Sequence, residues 1–240
     1  MLLRLRNSLS SMHAMIREQE RVANNLANIN TVGYKRVRTF TQALDEYLDE
    51  EGAPRSERRS TQWADLGQGP LESTGNPLDV AIEGEGFFVF SDDDTGALAY
   101  TRAGRLTLDA EGALRDLAGR SVEGEGGPIQ LLPSGGPIEI SKNGEIRQGG
   151  QVVGTLRVVI FENPEQLQRL SGAAFDAAGI EPETAENPVV LQGFVEASNV
   201  DAVREMADMI VFYRQFESQQ KMMQTTDQIL GAVTRDLGKF

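Results

Sequence analysis

Apolar side chains recur at alternating intervals of three and four over residues 1–30: Leu2, Leu5, Leu9, Met12 and Ile16, then Ala23 and Leu26, with Gln19 the one polar member. That is the rhythm of a heptad seam on an α-helix. Neither Gly nor Pro interrupts it before Gly33, which stands where a left-handed helix terminus or turn is expected after Asn30-Thr31-Val32. The far end repeats the rhythm through Met206, Met209, Tyr213, Phe216, Met223, Leu230 and Leu237, with Gln220, Asp227 and Thr234 filling the gaps. Ser198 or Asn199 is the expected cap of this second helix, and Asp201 completes a capping-box-like signal with Ser198. At about 1.5 Å per residue the two helices would span roughly 40–60 Å, more than a small domain needs to cover itself.

Between these ends the period changes from helical to strand-like, with short β-type runs punctuated by Gly, Pro, Asn and Asp. The expected strands are 78–83, 86–90, 97–101, 105–109, 113–115, 129–132, 138–140, 144–148, 156–161 and 189–195, with one turn of helix over 164–170. Many short strands at this spacing favour an antiparallel barrel-like or sandwich-like unit. Phe87 and Phe88 are assigned to its core. Residues 36–70 read as a linker holding a short amphipathic helix through Phe40, Leu44, Tyr47 and Leu48, followed by a mobile loop over 49–60 that has nothing large and apolar to bury. The fold class is therefore α+β: an antiparallel β-rich central domain over 71–197, flanked by long helices over 1–35 and 198–240. These helices are expected to pair as a coiled-coil-like assembly domain. An amphipathic helix ordinarily covers its own domain's core. Two seams of matching period at the two chain ends, flanking a middle of different character, favour pairing with each other and with neighbouring copies instead.

Composition narrows the function more than the fold. Forty per cent hydrophobic residues in 240 allow a sizeable core. Cysteine is absent, so disulfides, thiolate catalysis and Cys-ligated metals are excluded. No run approaches the roughly 18 to 20 apolar residues needed to cross a bilayer, so no direct membrane insertion is expected. The start, Met1-Leu2-Leu3-Arg4-Leu5-Arg6, lacks the pattern of a cleavable signal peptide. Of the net charge of −13, residues 1–40 contribute seven basic side chains against Glu18 and Glu20, leaving about −18 on the rest. Those basic groups are scattered round a helix that carries an apolar stripe, which favours a partner helix over nucleic acid.

Candidate chemistry is sparse. His13, the one histidine, lies on a packing helix, where a structural role outweighs catalysis or metal ligation. Asp92-Asp93-Asp94 with Gly96 resembles the start of a calcium loop, but Ala103 occupies the place of the closing Glu, so it reads as a solvated turn. Gly84-Glu85-Gly86 and Gly124-Glu125-Gly126-Gly127 put glutamates where an anion would sit and lack a P-loop Lys. No Gly-x-Ser-x-Gly elbow is present. Nothing asks for a catalytic residue, a cofactor or a metal; an enzyme with a β core and a nucleic-acid-binding protein stand as remote alternatives.

Four segments carry a resemblance. Val22-Ala23-Asn24-Asn25-Leu26-Ala27-Asn28-Ile29-Asn30-Thr31-Val32-Gly33-Tyr34-Lys35 closely resembles the signature near the start of flagellar rod and hook proteins. Residues 74–88, Thr-Gly-Asn-Pro-Leu-Asp-Val-Ala-Ile-Glu-Gly-Glu-Gly-Phe-Phe, look like the opening of that family's β domain. Tyr100-Thr101-Arg102-Ala103-Gly104-Arg105-Leu106 is similar to the strand pair that follows. Gly193-Phe194-Val195-Glu196-Ala197-Ser198-Asn199-Val200-Asp201 matches the entry to its last helix. The short middle argues against the hook type, and the total length together with Arg36-Val37-Arg38-Thr39-Phe40 leans towards a proximal-rod rather than a distal-rod component.

The resemblance implies a structural subunit of the basal-body rod, part of the axial drive shaft for motility. It also implies export by the flagellar type III apparatus without a cleaved signal, and assembly in the periplasmic space with copies of itself and other rod proteins. Four Asn within residues 24–30 are poor helix formers, and make sense if their amides bond across helix contacts or end the helix. The expected assembly interface is Leu5, Leu9, Met12, Ile16, Asn24, Asn25, Leu26 and Asn28 at one end, with Met206, Tyr213, Phe216, Met223 and Leu230 at the other.

Overall fold

A computed structural model describes residues 2–43, 47–48, 54–55, 58–132 and 135–237. The chain forms two compact units: residues 1–27 with 201–240, and residues 28–200. The first holds two helices, α1 (Leu2–Ala27) and α2 (Ala202–Leu237), which lie against each other. The second is β-rich, and among the described residues every strand pairing in it is antiparallel. Among the described residues no helix is long and apolar enough to cross a membrane.

Helix α1 stops at Ala27, short of the expected residue 30, where the Asn-rich stretch turns. There the Thr31 backbone N–H and Oγ1 donate to the Asn28 carbonyl and Oδ1, both at 3.1 Å. Helix α2 is capped by Asp201, not by Ser198 or Asn199. The Asp201 Oδ1 accepts from the N–H groups of Val203 (3.0 Å) and Arg204 (3.2 Å), satisfying two donors that the first helical turn leaves open. Ser198 only closes a local turn onto Val200 N–H, and Asn199 is engaged elsewhere.

In the β unit, Phe87–Ser91 pairs with Leu98–Thr101 and also with both Ser121–Gly124 and Val158–Ile160. This strand is buried on both faces, which is why it reads as an unbroken apolar run rather than an alternating one. Phe88 and Phe90 join Val80, Ile82, Leu106, Leu114 and Ile146 in one core cluster. Phe87 and Val89 join Tyr100, Val159, Phe161 and Phe175 in another, where edge-to-face ring pairs place Phe161 4.9 Å from Tyr100 and 5.9 Å from Phe87. The assignment of Phe87 and Phe88 to the core is met.

Several expected elements differ. The amphipathic helix through Phe40, Tyr47 and Leu48 is absent: Val37–Ala43 pairs antiparallel with Arg58–Ala64, and Tyr47–Leu48 with Pro54–Arg55. Alternating Val37, Thr39 and Thr41 fit a pleated ladder once a partner strand exists, and that partner overrides the helical spacing. Leu44 and the loop positions 49–53, 56 and 57 lie outside the described residues. Residues 129–132 form no strand, although Ile129 and Leu131 are buried, and only Gln130 makes a bridge, to Ala113. The single strand expected over 189–195 is two, Val189–Gln192 and Phe194–Glu196, broken at Gly193 with φ +76°. The helical turn is a 3-10 helix, Pro164–Gln166, followed by the short strand Gln168–Arg169. Strands Leu71–Ser73, Ser121–Gly124, Gln151–Thr155 and Ala174–Asp176 were not foreseen, being short and half polar.

Candidate assembly site

The β unit ties together the two points at which the chain enters and leaves it. Glu196, at the end of its strand, is fully buried, and its Oε1 pairs with the Lys35 ammonium, itself without solvent exposure. The same oxygen accepts from Gly69 N–H at 2.9 Å, while Oε2 faces the Arg102 guanidinium at 3.3 Å. Lys35 also donates to the Gly67 carbonyl (2.8 Å) and Arg102 to the Gly84 carbonyl (2.8 Å). Asn199 completes the clasp: its Oδ1 accepts from Arg36 N–H (2.7 Å), and its Nδ2 donates to the carbonyls of Asp65 (2.8 Å) and Gly67 (2.9 Å). Arg169 stacks on the buried Tyr34 ring, 4.5 Å from its centroid, and donates to the Lys35 carbonyl.

Glycines make the approach possible. Gly33 has φ +70°, donates to the Glu196 carbonyl at 2.7 Å, and would place a Cβ 2.3 Å from Ala103 N. At Gly69 a Cβ would meet the Ala197 carbonyl oxygen at 2.1 Å.

Burial sets the electrostatics of the clasp. Loss of solvent pushes the Lys35 ammonium below its ordinary pKa, against the opposing pull of Glu196. Arg102 is lowered for the same reason, again with Glu196 opposing, and burial also lowers Arg169. One buried carboxylate shared by two cations and a backbone N–H is a structural arrangement.

In the helical unit the predicted residues separate. On α1 the least exposed of the positions described are Ser11, Met12, Met15, Glu18, Gln19, Arg21, Val22, Asn25 and Leu26. Val22 is fully buried and Ala23 exposed; Met15 is half-buried and Ile16 exposed. Asn25 is fully buried, Asn24 exposed, and Asn28 half-buried in the turn that follows the helix. On α2 the covered stripe is Glu205, Met209, Phe212, Phe216, Gln219 and Met223, at intervals of four and three. Met206 and Tyr213 are off it, 50% and 59% exposed, in a second stripe with Val203 and Ile210. Leu5, Leu9 and Leu230 lie within the helices, their side chains outside the described set. Among the described residues no group of three or more His, Asp or Glu is placed to hold a metal.

Three family models match the chain: a flagella basal body rod protein model over residues 5–35, a flagellar hook protein FlgE/F/G D1 domain over 81–148, and a flagellar basal body rod FlgEFG protein C-terminal model over 191–236. The chain is 35% identical to the flagellar basal-body rod protein FlgF of Caulobacter vibrioides, over 97% of this chain and 96% of the relative. It is 33% identical to FlgF of Mesorhizobium japonicum, over 96% of each. It is also 32% identical to the rod protein FlgG of Agrobacterium fabrum, over 95% and 97%. The chain belongs to the flagellar basal-body rod protein family, of the FlgF/FlgG type with FlgF favoured.

Rod proteins of this family are structural components of the flagellar basal body, not enzymes. The clasp gives the family match a physical meaning, because each matched region supplies one of its buried charges. Lys35 comes from the first, Arg102 from the second, Glu196 from the third. All three segments carry the family resemblance, but nothing in them marks these side chains as partners. The available signal was an arginine and a glutamate each set between small or apolar neighbours, with Lys35 next to Arg36, but nothing local pairs residues so far apart.

Proposed function

We propose that this chain is a FlgF-type subunit of the proximal rod, and that it polymerises through its terminal helices into part of the axial drive shaft. The observation that carries this reading is the double character of α2, which turns one apolar stripe to α1 and leaves a second, Val203, Met206, Ile210 and Tyr213, exposed. A stripe of that kind on a single subunit favours burial between copies or against another rod protein. Leu5, Leu9, Met12, Ile16, Asn24, Asn25, Leu26 and Asn28 join it, with Phe216, Met223 and Leu230, as the assembly interface. Contact between unlike surfaces of successive subunits closes no dimer and builds an open helical array. The alignment with FlgF spans 241 positions, against 257 for FlgG, and this supports the FlgF assignment.

In this reading the subunit leaves the cell by the flagellar type III apparatus without a cleaved signal and assembles in the periplasmic space. The helices reach full order as neighbouring subunits cover them, so that folding and assembly are coupled. Removing residues 217–240 is the test. The antiparallel β signal and the solubility of the remainder are retained and incorporation into rods is lost; a truncated chain that still enters rods overturns the reading.

A further inference from the structure

The covered stripes of α1 and α2 are weakly specifying. Met12, Met15, Met209 and Met223 are flexible side chains that fill many gaps equally well, so these apolar positions taken by themselves tolerate sliding. One layer is different in kind. Glu205 is fully buried in the first turn of α2, and its Oε2 lies 3.8 Å from Nη1 of Arg21, whose side chain is 8% exposed. Arg21 Nε in turn donates to Glu18 Oε2 at 2.9 Å, and the neighbouring Val22 and Asn25 are fully buried.

We propose that the Arg21–Glu205 layer sets the register in which α1 pairs with α2, a positioning role that rests on the reading of these helices as the assembly element. Arg21 is near the end of α1 and Glu205 near the start of α2, and the half-buried stripes continue to Met12 and Met223, so the helices run antiparallel from this layer. A slide of one heptad in one direction sets Glu205 against Ala14. In the other direction it sets Arg21 against Phe212. Either slide leaves a buried charge facing an uncharged side chain, whereas the methionines would repack. A charged pair enclosed in a helix seam fixes register because sliding would part its members while both stay buried.

The absence of cysteine makes disulfide trapping in the full chain unambiguous. Met15→Cys is combined with Phe212→Cys, opposite it when Arg21 faces Glu205, or with Gln219→Cys, opposite it after a one-heptad slide. With Arg21 and Glu205 present, the first pair oxidises and the second does not. In an Arg21→Leu/Glu205→Leu background, helix content by circular dichroism is retained and the yield of the slid pair rises roughly tenfold, as expected when sliding no longer parts a buried pair of opposite charges. The exchanged pair Arg21→Glu/Glu205→Arg restores trapping of the first pair alone. The proposal is overturned if the leucine background still traps only the first pair, if it loses its helix content, or if the native background traps both pairs or neither. Rod incorporation of the unmodified chain is read separately, so a chain that pairs in register yet fails to assemble overturns the rod reading and leaves this one standing.

Discussion

Lys35 and Glu196, 161 residues apart in the chain, form an ion pair from which solvent is excluded on both sides. Removing one member of such a pair is costly because the other keeps its desolvation penalty without its partner. Glu196→Ala is expected to lower unfolding free energy by about 3–5 kcal/mol. It strands Lys35 and Arg102 together and removes the acceptor of Gly69 N–H. Lys35→Met should cost less, since Glu196 keeps Arg102 and Gly69. Denaturant melts of the two variants, read for midpoint at constant slope, check the order.

The clasp also has a pH signature. Lys35 has its folded-state pKa below the ordinary 10.5 because burial disfavours the ammonium. In the window between that lowered value and 10.5 the unfolded chain binds more protons than the folded one, so this group makes stability rise with pH. The gain is complete above 10.5 and lost as pH falls through the folded value. The stability of the native chain relative to Lys35→Met should therefore climb over the alkaline range; a flat difference in paired melts contradicts the assignment.

Asp109 titrates in the opposite sense. The Arg115 guanidinium, bonded to its Oδ2 at 2.6 Å, holds the carboxyl below 3.8. Its contribution is present above 3.8 and disappears as pH falls through the folded value. In Arg115→Gln, the Asp109 carboxyl resonance should titrate closer to 3.8 by NMR.

Two glycines with nearly equal backbone angles separate close approach from conformational freedom. Gly75, at φ +72°, has open space where a Cβ would go, and Gly75→Ala should cost only the left-handed penalty of roughly 1–2 kcal/mol. Gly33, at φ +70°, has the backbone of Arg102 and Ala103 in that space. Gly33→Ala should cost clearly more in parallel thermal melts.

Exposed and covered positions of α2 should part company in assembly. Tyr213→Ser and Met206→Ser remove exposed apolar surface, so subunit stability should change by less than about 0.5 kcal/mol while rod incorporation falls. Phe216→Ser, on the stripe facing α1, should lower both. Melting curves beside quantification of rod-bound protein distinguish the two classes.

Sequence pattern carried the helices and the antiparallel core because each is announced locally: three-and-four spacing for α1 and α2, and the dense run Phe87-Phe88-Val89-Phe90 for the central strand. It erred where tertiary partners decide. The ladder Val37–Ala43 with Arg58–Ala64 is invisible without its second strand, and Val22, not Ala23, faces inward because the helix phase drifts from a strict heptad. Polar residues were the harder case. Glu205 breaks an apolar pattern and is missing from the expected seam, whereas Asn25 is expected at the interface for its amide; both are wholly enclosed. The clasp was out of reach for a different reason, since Lys35, Arg102 and Glu196 are joined only by the fold.

A knot between residue 35 and residue 196 imposes an order of events. A chain delivered amino terminus first through any narrow conduit holds its Lys35 for most of the passage before the glutamate that neutralises it arrives. Until then the lysine stays hydrated, Gly69 has no carboxylate to meet, and the central strands lack the Phe194–Glu196 edge that pairs with Leu71–Ser73. The strand that ends at Glu196 therefore draws the purse-string, and the central unit stays open until that strand, just ahead of the final helix, is through.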